Sequence, residues 1–131
     1  EAGTTSAEKI RKESLAAGNK TKREGKKAAE KIREEGHAQA QKLIDNASNP
    51  IKKKAAEIAA KQMKDETNKK ADKMISEANI QGEKVISAGE SKASKIKSES
   101  EVKAQEVEET AQLQADKIMS EANAKAEKIK E

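Results

Sequence analysis

The chain has 131 residues, a formal charge of +4, and neither an aromatic residue nor a cysteine. Those absences exclude disulfides, thiol nucleophiles, thiolate metal sites, base-stacking platforms and aromatic cages. Eleven Ile, three Val, three Leu and three Met stand against 23 Ala, too little large apolar volume for a thick globular core.

Lys and Glu of both signs are interspersed along an Ala-rich chain, which is the composition of long helices. Low Leu, Ile and Val content is also a signature of disorder, so periodicity has to decide between them. The first predicted helix covers about residues 5–47. Its large residues Ile10, Thr21, Ile32 and Leu43 recur every eleven positions, flanked by two small-residue series in the same phase: Ala7, Gly18, Ala29, Ala40 and Ser14, Gly25, Gly36, Ala47.

A break is predicted at 48–50. Ser48 and Asn49 are good N-caps, and Pro50 is suited to the first turn of a new helix. The seam slips there as well: the first register projects a small position to residue 51, and the second projects back to 49.

The second predicted helix covers about 50–87 and the third about 91–130. Through both runs Met63, Met74, Val85, Ile96, Val107, Ile118 and Ile129 hold the large position. Ala60, Ala71, Gly82, Ala93, Ala104, Ala115 and Ala126 form one small series, and Thr67, Ala78, Gly89, Ser100, Ala111 and Ala122 the other. The segment from Ala71 to Asn79 returns nearly unchanged as Ala115 to Asn123, and a weaker copy begins at Ala29. An eleven-residue period is about 3.67 residues per turn, which favours a right-handed supercoil. All six glycines fall on small positions, although each costs about 1 kcal/mol relative to Ala inside a helix. They read as spacers that let helix axes approach closely.

The serine-rich stretch from Ser87 to Ser100 is the weakest helix former, and a turn at 87–91 divides the chain into three equal arms. The expected fold is therefore all-α: one helical domain over 1–131, an antiparallel three-helix bundle with Ala/Gly-rich seams. The alternative omits that turn. It is a helical hairpin with one very long helix, 51–130, that needs a partner chain over its far end and oligomerises as a right-handed coiled coil.

A second stripe, Ile58, Ile80, Val102 and Leu113, shares one phase nearly opposite the seam, interrupted by Lys69 and Ser91. It reads either as internal packing or as a strip for docking another protein. His37 has only Glu34 at metal-ligand spacing and reads as solvent-facing. Carboxylates along a thin Ala seam have nothing to desolvate them, and no Gly-rich phosphate loop occurs. Neither a catalytic residue nor a cofactor is expected.

Locally balanced charge argues against nucleic-acid binding, so a protein partner or self-association is the expected interaction. No apolar run is long enough to span a membrane. Because numbering starts at Glu1, either a removed signal or lipid anchor, with export to the periplasm or beyond, or a longer parent protein is expected; membrane contact is expected only through such an anchor.

The pattern of Ile118, Ser120-Glu121-Ala122 and Ala126-Glu127-Lys128-Ile129, with its copy from Met74 to Val85, resembles the b and E/G type stalk subunits of rotary ATPases. That resemblance covers roughly residues 60–131 and implies a load-bearing rod with a protein partner. A looser one is to exchangeable apolipoproteins, which also use eleven-residue amphipathic units and would imply reversible lipid-surface binding. The leading functional expectation is a non-enzymatic helical scaffold or spacer, followed by a stalk-like interaction module.

Overall fold

The computed structural model describes residues 2–130, all of them helical except a four-residue link. Helix α1 runs Ala2–Asp45 and α2 runs Pro50–Lys130, packed antiparallel as a hairpin. The chain separates into two compact units: Arg11–Glu90, and the residues through Ile10 together with those from Ser91 onward.

The link, residues 46–49, overlaps the break predicted at 48–50 but opens two residues earlier, because α1 ends at Asp45. The Asn46 and Ala47 amides donate back to the Lys42 and Ile44 carbonyls at 3.0 and 3.2 Å, closing the last turn of α1. Asn49 caps α2, its Oδ1 accepting from the Lys52 amide at 2.8 Å, and Pro50 takes the first helical position, where a missing N–H costs nothing.

In the unit 11–90 the seam is made by the small residues. Gly18, Ala29 and Ala40 of α1 are buried, as are Ala60, Ala71, Gly82 and Gly89 of α2. A Cβ built on Gly18 would lie 2.6 Å from the Gly82 carbonyl oxygen, and one built on Gly82 would lie 2.6 Å from that of Gly18. The two backbones touch at this point, leaving no room for a methyl group.

Eleven residues forward on α1 match eleven back on α2: Gly25 faces Ala78, and Gly36 faces Thr67. By the same step from Gly18 and Gly82, Ala29 stands across from Ala71 and Ala40 across from Ala60, all four at most 1 % exposed. Small faces small throughout. Ile32, Met63, Met74 and Val85 are half-buried at the flanks, and among the described residues no large side chain is fully buried.

In the other unit Gly3 faces Ser100, and Ala7 and Ala93 are buried. Beyond Ser100 every described residue is exposed.

The three-helix bundle is thereby corrected. Helices over 50–87 and 91–130 are one helix, and no turn interrupts 87–91. The reason lies in the packing: Gly89 is a buried spacer, while Ala93 and Ser100 carry the seam onward against the start of α1. Helix α1 also spans Ala2–Asp45 rather than 5–47, so it reaches far enough to cover the serine-rich stretch. The hairpin with one long helix is the architecture found.

Candidate helix-docking face

Basic side chains recur at an eleven-residue step along the edge of α1, at Arg11, Lys22 and Arg33, and each is half-buried. Their aliphatic stems cover the flank of the seam while their heads reach carboxylates on α2. Arg11 Nε donates to Glu90 at 3.0 Å, Lys22 pairs with Glu83, and Arg33 pairs with Asp72. Each acid partner is more than half exposed, so each pair adds at most about 1 kcal/mol and serves mainly to hold the register.

His37 belongs to the same ladder and is not solvent-facing. It is half-buried, with Nε2 3.1 Å from Asn68 Oδ1. Sequence reasoning passed over this polar flank, although the recurrence of Arg11, Lys22 and Arg33 in one phase was there to find.

Among the described residues no group of three or more His, Asp or Glu side chains stands together as a metal site. Among the described residues no helix is long and apolar enough to cross a membrane. Concavities along 79–87, 98–106 and 103–114 are each lined by one helix alone, so they are grooves between neighbouring side chains. A further concavity in the unit 11–90 lies between the helices at Ile32, Gly36 and Thr67.

The four residues of the second stripe are not internal packing in either unit. In the unit 11–90, Ile58 and Ile80 are 59 % and 54 % exposed; in the other, Val102 and Leu113 are 55 % and 70 % exposed. The structure adds a second apolar surface to these. Val107, Ile118 and Ile129, the large positions of the seam, are two-thirds exposed or more. Ala104, Ala111, Ala115, Ala122 and Ala126 lie beside them in the same phase, all exposed.

The seam that is closed up to Ser100 thus continues over residues 101–130 with the same residue pattern and no cover. Scattered apolar side chains on a surface are ordinary, whereas a phased stripe of them is the mark of an interface. No family model, curated protein or solved structure matches the chain.

Proposed function

We propose that the chain is a non-enzymatic helical scaffold that works by contact with protein, with residues 101–130 of α2 as its docking segment. The observation that carries this reading is the unbroken seam. Val107, Ile118 and Ile129 keep the phase of Met74 and Val85, which the hairpin half-buries, yet they lie open.

Thirty helical residues extend about 45 Å, and their Ala-rich face admits another helix at short separation. That face is too narrow and too poor in large side chains to bury deeply in a lipid surface, and it forms no enclosure in which a reacting group would be desolvated.

The test is a photo-crosslinking amino acid at Val107 in cells producing the chain, with Lys61, exposed on α2 within the unit 11–90, as control. Discrete adducts are expected at Val107, lost when Ile118→Gln is added, and none at Lys61. Absence of any adduct at Val107 would overturn the reading.

A further inference from the structure

We infer that residues 101–130 pair antiparallel with the same residues of a second copy of this chain. The inference rests on the docking role just proposed and names the occupant.

Register favours this pairing. In the hairpin, moving seven residues on from Gly18 and four back from Gly82 leads from one facing pair to the next, Gly25 and Ala78. The Gly18 series faces the Gly82 series, and the Gly25 series faces the Ala78 series. A seam with that property is compatible with a two-fold axis. Placing Ala115 against Ala115 of the second copy, the same step leads to Ala122 against Ala111, both members of the other small series. Ala104 then faces Ala126, Ile118 faces Ile118, and Val107 faces Ile129. The pattern that closes the hairpin closes this pair too.

Charge favours the same orientation. Glu101, Glu106, Glu108, Glu109 and Asp116 leave residues 101–116 acidic against Lys103 alone. Lys117, Lys125, Lys128 and Lys130 outnumber Glu121 and Glu127 in residues 117–130. Antiparallel pairing lays the acidic half of one copy along the basic half of the other, while parallel pairing sets like on like. A partner of opposite polarity is therefore supplied by the chain itself.

One local contact runs against this trend and gives the register a signature. Arg33 and Asp72 sit four residues past Ala29 and one past Ala71, and they pair. The equivalent stations in the dimer, four past Ala104 and one past Ala126, are Glu108 and Glu127 of the second copy. Glu108→Arg would convert two repulsive contacts per dimer into ion pairs.

The full chain is examined by sedimentation equilibrium over a wide concentration range. A monomer–dimer equilibrium is expected, weakened about a hundredfold by Ile118→Gln, which removes two facing side chains at once. Glu108→Arg should tighten it about three- to tenfold. Since Ile118 is exposed in the single chain, thermal unfolding in the monomeric range should be unchanged by either variant.

Orientation is read from disulfides in mixed variants. Ala104→Cys chains mixed with Ala126→Cys chains should give the mixed disulfide, and neither variant alone its own homodimer. A monomer at every concentration, or a disulfide between two Ala104→Cys chains, would overturn the inference. If the monomer result came with discrete cellular adducts at Val107 to another protein, the docking role would stand and the second copy would not be its occupant.

Discussion

Gly18→Ala and Gly82→Ala are each expected to lower the melting temperature of the chain, although each puts a stronger helix former into a helix. Propensity alone would make either replacement stabilising by about 1 kcal/mol. Against that gain, the new methyl on residue 18 meets the Gly82 carbonyl oxygen at 2.6 Å and Ile86 Cγ1 at 2.5 Å, and the one on residue 82 meets the Gly18 oxygen at 2.6 Å and Lys22 Cγ at 2.7 Å.

A side chain can rotate away, but a helix carbonyl cannot, so the helices must separate and the flanking contacts loosen. Overpacking of this kind costs about 1–3 kcal/mol, enough to reverse the sign. The double variant should cost less than the sum of the two, because the first separation makes room for the second methyl. Circular-dichroism melts of the three variants check this, and a raised melting temperature in either single variant would show that the backbones do not touch at Gly18 and Gly82.

The second expectation uses the internal repeat as its own control. Ala71 and Ala115 occupy the same station in the two near-identical segments. Ala71 is fully buried and stands across from Ala29, whereas Ala115 is exposed. Ala71→Leu forces three added carbons into the closed seam and should cost about 3 kcal/mol or more. Ala115→Leu should change unfolding in dilute solution by less than about 0.5 kcal/mol, since Leu and Ala differ little in helix propensity. Chemical denaturation of the two variants at low concentration reads the contrast directly.

Much of the hairpin was legible because its determinants are local or strictly periodic. Pro50 behind Asn49 carries its own start signal, and the eleven-residue phase of Gly18, Ala29 and Ala40 named the buried stripe residue by residue. The turn expected at 87–91 is absent, although serine and glycine are weak helix formers. Packing overrides that preference wherever the same residues are spacers in a closed seam, as Gly89 and Ser100 show.

The extent of cover was not legible either. Whether Val107 and Ile118 are paired depends on how far α1 reaches along α2, and the residue pattern is the same on both sides of Ser100. The polar flank of Arg33 with Asp72 and His37 with Asn68 depends on which α1 residue faces which α2 residue, a relation set by the hairpin and not by either helix alone.

One uninterrupted small-residue series is sealed by a facing helix up to Ala93 and open beyond Ser100. Because the chain has no cysteine, single Cys replacements at Ala60, Ala71, Ala93, Ala104, Ala115 and Ala126 each introduce a lone thiol. The deciding measurement is the rate of maleimide labelling of each variant under native conditions at low concentration. Slow labelling at 60, 71 and 93 with fast labelling at 104, 115 and 126 is the expected result; one common rate along the whole series would contradict it.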